Sequence, residues 1–529
     1  RDKKATQPPT RTLALGSVSN EAGMSGGITV AGGTLQVATD DNLTSGTLTL
    51  DGGTLSNGTS SMTIDNAISL GAAGGTFDIG GGSGSTPVVL SGVISGSGTL
   101  TKSGQAILEL SASNSYTGAT SVSAGTLIAS HANALGTTAG GTTVSSGATV
   151  RVAGALSLAE SFNIAGTGRT VSAVDYGALH LVSASSMISG SIALDGDANV
   201  SAASGATFML NGPVLGAFNL TKTDAGSLFL NNSGNSASHT GGTTLTSGNL
   251  AFASDANLGS GTLTLGGGTL VISGATTVDN AISLTATTTL SNSANVTFSG
   301  VISGSGSLNK AGASTLTLSG TNNGTGGLTL ASGTLSIASD SNLPSASLTI
   351  AGGTLAVTGE TTIDNAILVA VNANVQITAA TTFSGSISGP GGLTKTGFST
   401  LTLTGANSYF GATIVSGGTL LNNSAGVSAF TVQSGATLGG GGGCGPGTVP
   451  SGGMLTAGPG FLSVNGNLQM ASGSTLAVNI NGPDAGTQHS QILVVGEVDV
   501  SGASLVVNHA YTPAAGDYYR VISNSGTDS

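Results

Sequence analysis

Residues 91–130 read SGVISGSGTLTKSGQAILELSASNSYTGATSVSAGTLIAS. The phrase returns at 299–338 and 384–423, and more loosely at 215–254. Each copy strings short Leu/Val/Ile/Thr runs between Gly and Ser and carries a single Lys. The runs alternate strictly, as in Thr315-Leu316-Thr317-Leu318 and Thr400-Leu401-Thr402-Leu403. Period two means strands, with Leu inward and Thr outward. Thr and the β-branched residues favour strands, while Gly and Asn break them into turns.

Working outward, three blocks recur. Lys blocks end at Lys102, Lys222, Lys310 and Lys395; Asp blocks begin at Ala38, Ala253 and Ala338; an I/V-D-N-A-I phrase begins at Ile64, Val278 and Ile363. Asp255 to Asp340, Asp279 to Asp364 and Lys310 to Lys395 are each 85 residues apart, so the blocks share one register. The stretch from Ser111 to Lys222 is longer and more diverged; His131 stands in for the Asp, and the I/V-D-N-A-I phrase is missing. Regular short strands also suit a sandwich or barrel. Only a solenoid explains an in-register repeat with so few large side chains, because each turn stacks on its neighbour. The expectation is an all-β, right-handed parallel β-helix of roughly 20–25 coils, about 4.8 Å apart, giving a rod on the order of 110 Å.

Composition agrees. Gly makes up 89 of 529 residues, charged residues 6%, aromatics 3%, and Trp is absent, so no thick globular core can form. The net charge of −12 reflects scarce bases, and four of the 11 lie within the first eleven positions. With no basic stripe, nucleic acid and anionic membranes are poor partners. The single Cys444 excludes an internal disulfide or a Cys-based metal site. No apolar run is long enough to span a bilayer as a helix. The first residue is not Met and no signal peptide is present, so the chain reads as a processed or excised piece.

Three segments are expected: an N-terminal partial repeat over 1–25, in which Pro8 and Pro9 would block edge pairing and Lys4 is a remnant repeat Lys; the repeat solenoid over 26–423; and a C-terminal segment over 424–529. In the last, a glycine run (Gly439 to Gly443) precedes Cys444, and later strands are longer.

These phrases resemble the passenger-associated repeats of bacterial autotransporters, whose pattern is S-G-x-I-S-G-x-G-x-L-x-K, a strand, N-x-Y-T-G-G-T, then G-T-L. Residues 91–102, 114–118 and 125–127 match closely, as do 384–395, 407–411 and 418–420. Gly324 and His239 replace the pattern's Tyr in the other two copies. Residues 457–522 are similar to the segment that closes such passengers ahead of an outer-membrane barrel, and the barrel itself is absent from this sequence. The resemblance implies export to the cell surface or beyond and names no ligand.

Candidate sites are few. The repeat lysines lie a full unit apart and read as solvated turn residues. One carboxylate per unit (Asp40, Asp255, Asp340; likewise Asp65, Asp279, Asp364) is too few oxygens for calcium, and a turn or helix cap accounts for them better. Tyr116, Tyr409 and Phe410 are the candidate ligand-facing residues, as a sugar-stacking surface. No cofactor or metal is expected. The five histidines have no triad context in the sequence, so catalysis is not expected either. The expected function is a non-catalytic extracellular stalk, scaffold or adhesin-like passenger, with cell-surface glycans or other cells as partners. The alternatives are a subunit of a head-to-tail filament, partnered with itself, and, more remotely, a polysaccharide-active enzyme.

Overall fold

A computed structural model describes residues 11–15, 26–58, 61–80, 86–171, 174–426, 428–458 and 460–526. Most of the expected N-terminal segment, with Lys4, Pro8 and Pro9, lies outside the described residues. The fold is an all-β parallel solenoid of about 22 turns. The chain divides into two compact units, 1–271 and 272–529.

In unit 1, alternation translates directly into inside and outside. Leu48–Leu50 buries its two leucines and leaves Thr49 partly exposed. Such strands pair in parallel with the strand one coil away. Leu55 aligns with Phe77, Phe77 with Lys102, Lys102 with Val122, and Val122 with Val144, all buried. The extra length of the diverged stretch is used in two ways. Ile192–Ala202 is an eleven-residue strand, and the described residues within 167–177 leave the wall as an excursion. Within that excursion Thr170–Val171 pairs antiparallel with Val174–Asp175.

Unit 2 repeats the scheme. One wall runs through Leu308–Lys310, Leu328–Leu330, Leu348–Ile350, Ile367–Val369 and Ile387–Ser388. A second runs from Val296–Phe298 through Thr315–Leu318, Thr334–Ile337, Thr354–Val357, Ala373–Ile377, Leu393–Thr396 and onward to Val498–Asp499. A third includes Thr400–Leu403 and Gly418–Asn422. The second wall's inner column reads Val296, Leu316, Leu335, Leu355, Val375, Lys395, Val415, Val432. Burying one aliphatic side chain per strand, at about 1.5–3 kcal/mol each, sums along the column, which is how a thin core holds a long stack.

Coils approach closely at their corners. A Cβ on Gly92 would lie 2.0 Å from Asn66 O, and one on Gly385 would lie 2.0 Å from Asn365 O. The S-G that opens the Lys102, Lys310 and Lys395 blocks is therefore a steric requirement set by the I/V-D-N-A-I corner of the coil before it. The Asn side chains complete that corner. Asn66 Nδ2 donates to Thr44 O (2.5 Å) and Gly46 O (2.9 Å), and Asn365 Nδ2 to Pro344 O (2.6 Å) and Ala346 O (2.8 Å).

Candidate functional site

The repeat lysines are not solvated. Lys102, Lys222, Lys310 and Lys395 are all buried, among the largest side chains to be so. In the L-x-K triplet Lys shares the face of the inward Leu, as strand alternation dictates. The aliphatic stem fills a place in the inner column, and the ammonium turns to the corner where three carbonyls meet it. Lys102 Nζ donates to Ser103 O (2.6 Å), Gly104 O (2.6 Å) and Ala124 O (3.2 Å). Lys395 Nζ donates to Thr396 O (3.1 Å), Gly397 O (2.8 Å) and Gly417 O (2.8 Å). Lys222 does the same with Thr223 O, Asp224 O (2.6 Å) and Ser247 O (3.3 Å), and Lys310 reaches Gly312 O and Ser332 O (3.2 Å).

The geometry has a sequence signature. The second carbonyl belongs to a residue two after Lys, which is left-handed in three copies: Gly104 (φ 73°), Asp224 (φ 64°) and Gly397 (φ 79°). The last acceptor comes from the next coil, immediately before the Gly of G-T-L or its G-N-L variant. That glycine is also left-handed: Gly125, Gly248, Gly333 and Gly418. Each cage thus uses all or most of an ammonium's three donors and stitches two coils together. Burial pulls the amines down from the usual lysine range, Lys102 to about 7 and Lys222, Lys310 and Lys395 to about 8. The carbonyls act in the opposite sense, since they favour the ammonium, with its charge and three N–H donors, over the neutral amine.

Two of the three proposed ligand-facing residues also point inward. Tyr116 and Tyr409 are buried, and their hydroxyls meet Thr120 Oγ1 (2.7 Å) and Thr413 Oγ1 (2.6 Å). They cannot offer a sugar-stacking surface, because the N-x-Y-T-G loop folds its Tyr over the open end of the coil interior. Burial raises both phenols above their ordinary range. Phe410, the next residue, is 80% exposed. His239 fills the Tyr position in its copy, buried, with Nε2 3.2 Å from Gly242 O. The Asn of the same loop bridges coils: Asn114 Oδ1 accepts from Ile94 N (2.8 Å) and its Nδ2 donates to Ala134 O (2.6 Å).

In the Asp blocks the working group is the Asn two residues on. Asp40–Asn42, Asp255–Asn257 and Asp340–Asn342 are single 3-10 turns with capping boxes. Asn342 Oδ1 accepts from Ala338 N (3.1 Å) and Ser339 N (2.9 Å). Glu160, in the diverged stretch, occupies the corner position of Asn66 and Asn365: a Cβ on Gly190 would lie 2.0 Å from Glu160 O. Its buried carboxylate accepts from Thr142 Oγ1 (2.8 Å), and burial pushes it up to about 7.

Ser201, His180 and Asp224 do come together. Ser201 Oγ lies 2.6 Å from His180 Nδ1, and Asp224 Oδ2 lies 3.8 Å from the same nitrogen. A nucleophilic triad needs Ser and Asp on opposite ring nitrogens. Ser201 Oγ is moreover tied to Tyr176 O and fully buried, so this cluster is a tie beneath the 167–177 excursion. Burial lowers His180 to about 4, with Asp224 opposing and Arg151 reinforcing the shift.

Cys444 is buried too, in the strand Gly443–Cys444, with Asn422 Nδ2 3.4 Å from its sulfur. Burial raises its thiol, so it is held as an inert packing group. It borders an enclosed cavity of about 20 Å³ together with Tyr409, Thr413 and Asn422, room for a single water. Among the described residues no group of three His, Cys, Asp or Glu side chains is placed to hold a metal ion, and no helix is long and apolar enough to cross a membrane.

Comparison with known proteins finds the same repeat elsewhere. The passenger-associated-transport-repeat model matches residues 10–37, 100–129, 220–252, 308–337 and 393–421. The last four stretches each begin two residues before a caged lysine and extend past its next-coil acceptor, so one family repeat corresponds to one lysine cage. An adhesin autotransporter, BmaC of Brucella suis biovar 1 (strain 1330), is 39% identical over 104 residues. That match covers 19% of this chain and 3% of the adhesin. No solved structure matches the chain. With repeat, register and cage in agreement, the chain is a β-solenoid that carries five stretches matching the passenger-associated-transport-repeat.

Proposed function

We propose that the chain is a non-catalytic, adhesin-like surface scaffold: a stack of coils that carries binding surfaces outward from the cell. Its location, the bacterial cell surface or the extracellular space, follows from the repeat and the adhesin relative. One observation carries the functional reading. The lysine of every copy is buried in a coil-to-coil cage, Asn114 is buried between coils, and Tyr116 and Tyr409 are buried against threonines of their own loops, so these groups are committed to holding the solenoid. Ligand recognition then falls to residues outside the repeat grammar, on the outer wall and in the diverged stretch. Residues 424–529 serve in this reading as a separate C-terminal segment.

The test coats beads with the purified chain and measures retention on cultured cells beside albumin-coated beads, with a polysaccharide and ester hydrolysis panel in parallel. Retention above the albumin control without turnover is expected. Turnover on any substrate, or retention equal to albumin, would refute the proposal. A second reading, head-to-tail self-association, is favoured by the strand Ser504–His509, all six residues of which are exposed. Electron microscopy across concentrations checks it: fibres that lengthen with concentration support self-association, and rods of fixed length exclude it.

A further inference from the structure

The structure redistributes the chain's positive charge. Eleven Lys and Arg residues are present; four lysines are caged inside, and three more bases (Arg1, Lys3, Lys4) precede the described residues. Beyond Arg11, the cations left on the described surface are Arg151, Arg169 and Arg520. Two of these three stand on one face.

Arg151 lies on Ala148–Val152, between inward Val150 and Val152, so it points outward. Thr149, two residues before it, faces the same way at a spacing of about 7 Å. Arg169 comes from the excursion at 167–177. Its amide donates to Thr149 Oγ1 (2.8 Å), and its Nη1 reaches Thr126 Oγ1 (3.5 Å), on the neighbouring strand. The excursion thus lays a second guanidinium across the strand that carries Arg151. Arg151 Nε is buried without a hydrogen-bond partner. Among the described side chains the ion-pair contact is that of His180 with Asp224, and neither arginine pairs with a described carboxylate. Of the acids with described side chains, Glu109 accepts from Ser130 Oγ (2.7 Å), and Asp224 faces His180.

We propose that Arg151 and Arg169 form a binding site for the oxyanion of an acidic saccharide, its carboxylate or sulfate group, on the outer wall of unit 1. The proposal rests on the surface-binding reading above. Guanidinium is the side chain suited to such groups, because its fixed fork of donors matches two oxygens at once. On a chain of net charge −12, two arginines on one outer face, with no partner among the described carboxylates, favour an anion. The site is absent from the regular repeats, since it depends on the excursion that only the diverged stretch contains.

The experiment titrates the full chain with 3′-sialyllactose, a sulfated disaccharide and neutral lactose, by calorimetry or ligand-observed NMR. Binding of at least one acidic sugar but not lactose is expected, weakening with salt. Arg151→Gln and Arg169→Gln should each weaken it by about tenfold or more, from the loss of charge-assisted hydrogen bonds, while Arg520→Gln leaves it unchanged. The sialylated and sulfated arms separate carboxylate from sulfate recognition. If neither acidic sugar binds, if lactose binds equally, or if both variants bind like the parent chain, the site is refuted. Should Arg151→Gln melt early by circular dichroism, Arg169→Gln alone decides, because its side chain lies on the outer face. Beads that adhere to cells while the chain binds no acidic sugar would sink this site and leave the scaffold reading standing.

Discussion

Replacing Lys395 by Met isolates what a lysine cage contributes. Methionine keeps an unbranched stem of similar volume between Val375 and Val415, so the inner column stays filled. What disappears is the donor for Thr396 O, Gly397 O and Gly417 O. A buried carbonyl left without its donor costs about 1–3 kcal/mol. Three such losses are offset in part because the ammonium no longer has to be desolvated, and burial of that ammonium is strong enough to pull Lys395 down to about 8. A net destabilisation of about 3 kcal/mol follows.

In a solenoid this loss is felt mainly between the two coils the cage joins. Hydrogen exchange resolved by peptide should therefore show protection falling about a hundredfold over Leu393–Thr396 and Gly418–Asn422, with distant strands such as Thr315–Leu318 little changed. Urea unfolding of the same variant should show the loss as a lower midpoint. If Lys395→Met is as stable as the parent chain, or if protection falls evenly along the chain, the cage is not a coil-to-coil tie and the reasoning fails.

The cages also set a pH dependence. Folded lysines at about 7 to 8 release protons before unfolded ones near 10.4, so between those values the unfolded state binds more protons and stability should rise with pH. A melting temperature that falls from pH 7.5 to 9.5 would contradict this. Glu160 acts in the other direction: held at about 7 when folded and near 4.3 when unfolded, it makes stability fall as pH rises between those values, and Glu160→Gln should flatten that limb. Tyr409→Phe should cost about 1 kcal/mol through Thr413 while leaving cell binding unchanged, measured by melting and by the bead assay. Gly385→Ala should fail to fold or melt far earlier than the parent, because its Cβ would meet Asn365 O at 2.0 Å.

The architecture was legible because a thin solenoid writes its packing directly into the sequence. Thr315-Leu316-Thr317-Leu318 alternates as it packs, and an 85-residue spacing keeps Lys310 and Lys395 in equivalent coils. The same alternation rule also contained the answer for lysine. Leu393 faces inward, so Lys395 two residues later must as well; the charge argued for solvent, and the strand period prevailed because carbonyls from two corners satisfy the amine. The inward turn of Tyr116 and Tyr409 was harder to see. It depends on a loop with no period, and the Thr four residues on that meets each hydroxyl is one of many threonines in such a sequence. Least legible was the pairing of Arg151 with Arg169. They are 18 residues apart, joined by an excursion that matches no repeat, and only the path of that excursion brings them to one face.

These outcomes suggest how such a chain divides its labour. A wall built from Gly, Ser, Thr and short aliphatic residues has almost no room for charge inside, so each buried ammonium must be neutralised by backbone dipoles, and each cage fixes the register of the coil that follows. A two-residue slip would keep every Leu inward but carry Lys395 about 7 Å along the strand and leave Gly417 O without its donor. The cage therefore penalises misregister, which the alternating Thr and Leu, alike in every coil, cannot do alone. Because the lysines serve register, the chain can vary its outer wall freely between cages. Functional difference then belongs where the repeat is broken, in the stretch between Lys102 and Lys222 that departs furthest from the 85-residue unit.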